Sequence, residues 1–148
     1  IENQYLNRST PTATARLIET FFENRLFASK YKKFLIRIMT ETSTGQDKLK
    51  GLLPPDCTVG HKTGSSDRTS TGVKIADNDA GFVLTPDGKR YYIAVFVSDS
   101  QEDDPTNASI IARISAIVYD FMIRPTDPNR PTLCRPESVS ADDAAGIP

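Results

Sequence analysis

The sequence has few residues that could hold a metal ion or act as a reactive thiol. It contains two cysteines, Cys57 and Cys134, and one histidine, His61. These residues lack the close Cys/His spacing of zinc sites, so we do not expect zinc or another cofactor. The two cysteines could form a disulfide in an oxidising compartment, and the residues leave that pairing open.

The chain also lacks long apolar runs and an excess of charge of either sign. No stretch of about 18 apolar residues occurs, and 18 basic residues against 19 acidic ones leave a formal charge of -1. We therefore expect neither a membrane nor nucleic acid as partner, and favour small molecules and proteins. Residues 1–5 show no signal peptide. The start at Ile1 instead of Met hints at an internal segment of a longer protein.

Helical periodicity predicts two helices in the first third of the chain. The first begins at the cap Ser9-Thr10 before Pro11 and runs to about Leu26. The second has Ser29 as its cap and fails near residues 43–45. Each helix has an apolar stripe at helical spacing, and the stripe of the first helix can be buried. The stripes consist of Leu17, Ile18, Phe21 and Phe22, and of Tyr31, Phe34, Leu35, Ile38 and Met39.

The pattern then changes to that of strands and ends in a helix. We predict strands at 58–63, at 71–76 with 80–85, interrupted by Asp77-Asn78-Asp79, and at 90–97. The acidic turn 102–105 precedes a strong helical stripe, which should lie across the sheet. Its members are Ile110, Ile111, Ile114, Ile117, Val118 and Phe121. The pattern predicts an α+β fold of three antiparallel strands covered by helices.

One segment suggests a chemical role. It is His61-Lys62-Thr63-Gly64-Ser65, at the end of the first predicted strand. Lys62 supplies a compact cation for an anionic substrate, and Thr63 adds a hydroxyl donor. Gly64 permits close approach of a ligand, which could lie along the strand with the Ser65 N–H at its developing negative charge. Alternatively, Lys62 is a solvated strand-end lysine and Gly64 only a turn residue.

Several ordered segments resemble class A serine β-lactamases, in particular the branch of extended-spectrum cephalosporinases. The resemblance spans residues 4 to about 122 and matches the part of these enzymes that follows the Ω-loop. Arg8 departs from the pattern, since tryptophan is common at its position. The matching segments include residues 4–11, Phe34 to Met39, Leu49 to Pro54, Val59 to Gly64, Asn78 to Gly81, Pro86 to Gly88 and Ile93 to Ser98.

The resemblance implies a β-lactamase/transpeptidase-like partial domain over residues 1–123, of three-layer α/β architecture. In residues 124–148 proline is frequent and apolar periodicity is absent, which predicts a tail that is extended or disordered unless Cys134 ties it down. The resemblance also implies β-lactam hydrolysis through a serine acyl-enzyme in the periplasm or outside the cell. Lys62 and Thr63 would hold the substrate carboxylate, Gly64 would allow close approach, and the Ser65 N–H would form the oxyanion hole. A lysine in open solvent or on a helix would contradict this interpretation.

The nucleophile of the family is not expected in this chain. Its Ser-x-x-Lys, Ser-Asp-Asn and Ω-loop glutamate would lie before Ile1, so the chain alone should be inactive. Ser29-Lys30-Tyr31-Lys32 fits Ser-x-x-Lys by chance as a helix cap. Ser98-Asp99-Ser100 and Glu2 are similarly rejected, because both stand at the wrong place in the family's order. His61 is interpreted as a strand side chain, with no Ser/Asp partner to make it a general base.

A missing half would leave apolar surface uncovered. We expect exposure at Phe21, Phe22, Phe34, Leu35 and Tyr91 or its neighbours, and association with the N-terminal half of the same protein or with a second copy by domain exchange. Two other functions stay open. The chain could belong to a D,D-peptidase or penicillin-binding protein, or it could be a non-catalytic binding module of the same fold.

Overall fold

The computed structural model describes residues 8–23 and 28–123. The predicted order of helix, helix, strand, strand, strand and helix is confirmed. The expected tail at 124–148, the pairing of Cys134 and the end of the first helix lie outside the described residues. The elements are α1 (Pro11–Glu23), α2 (Ser29–Thr40), β1 (Thr58–Ser65), β2 (Lys74–Leu84), β3 (Arg90–Ser100) and α3 (Asp104–Ile123).

The starts of the two N-terminal helices differ in how they are capped. The Thr10 hydroxyl accepts the Ala13 N–H at 3.1 Å, so the predicted hydroxyl cap of α1 is confirmed. The predicted cap of α2 is wrong by one residue. Ala28 precedes the helix with φ -57° and ψ 140°, and no side chain caps it. Ser29 is therefore the first helical residue, and the Ala28 carbonyl accepts the Tyr31 N–H at 2.9 Å and the Lys32 N–H at 3.4 Å.

The three strands form an antiparallel sheet in the order β1-β2-β3. β2 runs without interruption through Asp77–Asp79, so the predicted break is wrong. Asp and Asn are unfavourable in strands, which suggested the break. Asp77 and Asp79 are nevertheless buried and bound by polar partners on one face of the sheet. Tertiary contacts have therefore overridden local propensity.

The main core lies between one face of the sheet, the segment before β1 and α3. It consists of Leu49, Cys57, Val59, Val83, Tyr91, Ile93, Val95 and Ile111. α3 meets this core through Ile111 and the small residues Ala108, Ala112 and Ser115. The Ser115 hydroxyl donates to the Leu49 carbonyl at 2.7 Å. Small side chains allow the helix to lie close to the sheet.

The predicted buried stripe of α3 is wrong except at Ile111 and Val118. The exposed members are Ile110, Ile114, Ile117 and Phe121. The helix has an apolar residue on almost every side, so periodicity alone chose the wrong face. α3 also has the length and hydropathy of a membrane span, a property that core helices of soluble proteins share. In this structure α3 lies against β2 and β3.

α1 and α2 cover the other side of the sheet only in part. Phe22 is buried, with its ring 4.5 Å from that of Phe82 and 5.9 Å from that of Tyr92. α2 contributes no buried side chain within the described part of the chain. The expected exposure of Phe34 is confirmed at 52%, whereas that of Phe22 is wrong, and Phe21 and Leu35 are half-buried. Tyr91 itself is buried, and its neighbour Arg90 is exposed. The predicted burial of Leu17 is also wrong, since it is 69% exposed.

Candidate functional site

The four predicted site residues occupy consecutive positions at the end of β1, the edge strand of the described sheet. Lys62 pairs with Ala80 of β2, and Gly64 pairs with Asn78. β2 is the sole strand paired with β1 among the described residues, so the opposite edge of β1 is open. Residues 62–65 therefore form part of an open strand edge, along which another chain or an extended ligand could bind.

The backbone of Ser65 faces this open edge. The Ser66 N–H donates to the Ala76 carbonyl at 2.8 Å, so Ser66 points toward β2. Neighbouring residues of an antiparallel strand point in opposite directions, which turns the N–H of Ser65 and the carbonyl of Thr63 outward. The Lys62 ammonium donates to this Thr63 carbonyl at 2.6 Å. The open edge thus carries a backbone donor at Ser65 and a cation at Lys62, three residues earlier.

The side chains at this edge are accessible. Lys62, Gly64 and Ser65 are exposed, and Thr63 is half-buried with its hydroxyl 3.3 Å from that of Thr44. A Cβ added at Gly64 would meet no atom within 4 Å. Lys62 lies on a strand, as predicted, but its exposure is equally what a solvated lysine would show. Its role in binding a substrate therefore stays a prediction.

A buried polar cluster lies behind the edge residues and consists of Lys48, His61, Asp77 and Asp79. His61 is 1% exposed, and its Nδ1 lies 2.8 and 3.0 Å from the two carboxylate oxygens of Asp79. The Lys48 ammonium donates to Asp77 at 2.5 Å. Asp79 also accepts the Leu49 N–H at 3.1 Å. The cluster joins β1, β2 and the segment that precedes β1.

Periodicity and short motifs did not predict this cluster, and the expectation that His61 lacks an aspartate partner is wrong. A carboxylate can only accept hydrogen bonds, so Nδ1 of His61 carries the proton and donates to Asp79. Nε2 is buried and has no hydrogen-bond partner within residues 8–23 and 28–123. No serine hydroxyl is therefore bound to His61 in that part of the chain. The alternation Asp77-x-Asp79 in a strand of apolar neighbours was the available signal.

The rejected serine motifs have structural positions of their own. Ser29 begins α2, and Ser98-Asp99-Ser100 ends β3, where Asp99 has φ 50°. The Ser100 hydroxyl donates to the Asn107 side chain at 2.7 Å and so ties β3 to α3. Glu2 lies outside the described residues. Both serine motifs therefore lie at the end of a helix or strand and have structural roles there.

Two further observations concern metals and thiols. The described residues contain no group of three or more His, Cys, Asp or Glu side chains that could hold a metal ion. Cys57 is buried and unpaired in that same part of the chain. Burial raises the pKa of the Cys57 thiol, which keeps the thiol protonated and unreactive at neutral pH.

Comparison with known proteins identifies relatives over most of the chain. The model of the beta-lactamase enzyme family matches residues 2–122. A beta-lactamase of Bacteroides uniformis is 58% identical over 122 residues, which are 82% of this chain and 41% of that protein. Beta-lactamase VEB-1 of Pseudomonas aeruginosa is 40% identical over 81% of this chain and 40% of its own length. The chain spans about two fifths of the length of these relatives.

A solved structure confirms the fold. The crystal structure of a class A beta-lactamase from Bacteroides cellulosilyticus DSM 14838 is 63% identical and superposes with a TM-score of 0.75. The superposition covers 77% of this chain and 41% of that structure. The three-stranded antiparallel sheet and its helices therefore form part of a class A beta-lactamase fold, as the sequence predicted.

Proposed function

Because the chain belongs to the beta-lactamase enzyme family, we propose that β1 is the substrate-binding strand of a class A serine β-lactamase. The reaction is hydrolysis of the β-lactam amide through a serine acyl-enzyme. The reactive serine comes from another polypeptide segment, since both serine motifs found here stand at the wrong place in the family's order: Ser29 begins α2, too near Lys62 in sequence, and Ser98 follows the strand of Lys62.

The open edge of β1 is the observation that carries this proposal. Lys62 and Thr63 bind the substrate carboxylate, and the empty space over Gly64 admits the ligand. The outward N–H of Ser65 donates to the carbonyl oxygen as it becomes an oxyanion. An extended substrate can therefore lie antiparallel to residues 62–65 and contact both the Ser65 N–H and the Lys62 ammonium along the same strand edge.

An assay with a chromogenic cephalosporin tests the proposal. The chain is measured alone and together with a separately expressed N-terminal part of the Bacteroides uniformis relative. We expect no turnover by the chain alone and turnover by the mixture. In the mixture, Lys62→Ala should lower kcat/KM by up to about 100-fold, which corresponds to the roughly 1.5–3 kcal/mol that a hydrogen bond to a charged group such as the substrate carboxylate contributes. Lys50→Ala is the matched control, because Lys50 is exposed outside the edge strand.

The outcomes separate the alternatives. Turnover by the chain alone would show that it holds its own nucleophile and would contradict the proposal. A mixture that forms a stable acyl-enzyme without turnover would indicate a D,D-peptidase or penicillin-binding protein. A mixture that associates but never reacts would indicate a binding module. Equal losses for Lys62→Ala and Lys50→Ala would remove Lys62 from the site.

The proposal includes a protein partner for the uncovered face of α1 and α2. An apolar cavity of 390 Å³ between these helices is lined by Leu17, Phe21, Leu35 and Met39 among others. The large exposed apolar side chains nearby are Leu17, Tyr31, Phe34 and Ile38. Surfaces of this kind favour association. The partner is the N-terminal half of the protein or a second copy that exchanges domains, acting in the periplasm or outside the cell.

Size-exclusion chromatography with light scattering tests the partner. The chain alone should self-associate with rising concentration, and the N-terminal part of the relative should convert it to a one-to-one complex. Phe34→Ser should weaken both, because it removes an exposed aromatic ring from this face. A chain that stays monomeric at all concentrations and ignores the N-terminal part would contradict this claim.

A further inference from the structure

The register of β1 is set by two neighbouring cross-strand pairs just before Lys62. Gly60 pairs with Phe82, and His61 pairs with Gly81. A Cβ at Gly60 would overlap the Phe82 ring, and a Cβ at Gly81 would overlap the backbone of Gly60 and His61. Each large side chain thus lies over a glycine, on opposite faces of the sheet. A slip of one residue would remove both spaces at once, so this register is strongly specified.

The buried polar cluster continues this arrangement beneath the edge residues. Asp79 is the cross-strand partner of Thr63, and Asp77 is that of Ser65. Asp79 holds His61 of β1 and the Leu49 N–H, whereas Asp77 holds Lys48. The two residues directly opposite Thr63 and Ser65 are therefore anchored to the segment 48–49 and are buried from solvent.

Stability alone does not account for such a cluster. Removing charges from water is costly, and apolar side chains of similar volume often give equal or greater stability. What a polar cluster adds is direction, because each hydrogen bond requires a defined distance and angle. The cluster joins three segments at the point where β1 leaves the core and its residues become exposed.

We propose that His61 and Asp79 are positioning residues, which hold Lys62–Ser65 at a set position on the sheet without touching the substrate. The part of this inference that concerns substrate binding by β1 rests on the proposed function. The structural content of the inference is independent of that function. Breaking the His61–Asp79 contact should loosen β1 from β2 locally, while the pairing of β2 with β3 persists.

Amide hydrogen exchange on the full 148-residue chain, followed by NMR, measures this difference. By the alternation that Ser66 defines, the amides of Lys62 and Gly64 donate to β2. Those of Ile93 and Val95 on β3 serve as the reference. In His61→Leu, exchange should be about tenfold faster at the β1 amides and unchanged at the reference amides, as local opening predicts.

Two further variants make the test specific. His61→Asn keeps an N–H donor near the position of Nδ1 and should restore slow exchange on β1. Asp79→Asn changes the shape of the side chain little and replaces His61→Leu as the test variant if His61→Leu does not fold. It should accelerate exchange on β1. Asp47→Asn is its matched control, because it makes the same change of charge at an exposed residue of the preceding segment.

Two results of the exchange measurement would overturn the inference. Equal acceleration on β1 and β3 would mean that the cluster contributes global stability alone. Unchanged exchange in both His61→Leu and Asp79→Asn would mean that it has no positioning effect. In the cephalosporin assay with the N-terminal part, His61→Leu should lower kcat/KM at least tenfold and His61→Asn should recover it. Failure of the unchanged chain in that assay would overturn the proposed function and leave the exchange result standing.

Discussion

Each end of the sheet contains a set of buried residues, and the two sets are held in place by different interactions. At one end, the cross-strand row Val59, Val83 and Tyr91 is apolar and packs in the core with Ile111. Toward the other end, Asp77 and Asp79 face polar partners on the same face. The apolar end is stabilised in proportion to the surface removed from water. At the polar end, the hydrogen bonds and ion pairs must first offset the cost of removing charged groups from water. What they add is a defined distance and angle between β1 and β2 next to the open edge.

Breaking the polar end should have the largest effect. Lys48→Met leaves Asp77 as an unpaired charge whose side chain is 3% exposed. We expect a loss of about 4 kcal/mol in the free energy of unfolding at pH 7, measured with urea. Lys50→Met, at the exposed neighbour of Leu49, is the control.

A double replacement sharpens this comparison. Lys48→Met with Asp77→Leu removes both charges and should recover most of the loss, because an apolar pair can match a buried ion pair in stability. If the double variant is as unstable as Lys48→Met, then the ion pair itself is a net source of stability. In that case the polar end, like the apolar end, would contribute net free energy to folding.

The apolar end should respond next most strongly. Ile111 is fully buried, and Ile111→Ala should cost about 3 kcal/mol through lost burial and the cavity left behind. Ile117→Ala makes the same change on the same helix at a residue that is 68% exposed, and should change stability by less than about 0.5 kcal/mol. Equal costs for the two variants in urea unfolding would refute the observed orientation of α3.

Tyr91 should give the smallest effect at neutral pH. Its hydroxyl is buried without a hydrogen-bond partner in the described residues, so Tyr91→Phe should change stability little at pH 7. Burial raises the pKa of Tyr91, so its neutral form is favoured when folded. Stability from this group is complete below the ordinary tyrosine pKa and falls as pH rises above it.

The measurement for Tyr91 is a series of thermal unfolding curves from pH 8 to pH 11. The unchanged chain should lose thermal stability faster than Tyr91→Phe above about pH 10, where tyrosines of the unfolded chain ionise. Burial raises the pKa of Tyr92 also, so the difference between the two proteins is the quantity of interest. Parallel curves would show that the Tyr91 hydroxyl has the same pKa in both states.

Local patterns determined much of this fold. Helical and strand periodicity, with the cap at Thr10, predicted all six elements in order, because each is a property of neighbouring residues. The segment Lys62 to Ser65 was also located, because residue types and strand context are visible in the sequence. Its resemblance to class A enzymes supplied the family, which the comparisons confirmed.

The tertiary structure decided what depends on residues far apart in sequence. Asp77 and Asp79 are compatible with a continuous β2 because Lys48, Leu49 and His61 meet them across the fold. α3 packs through its small residues, a choice among several apolar faces that only the shape of the sheet could make. Periodicity reports which residues share a face, whereas burial depends on which surface that face meets.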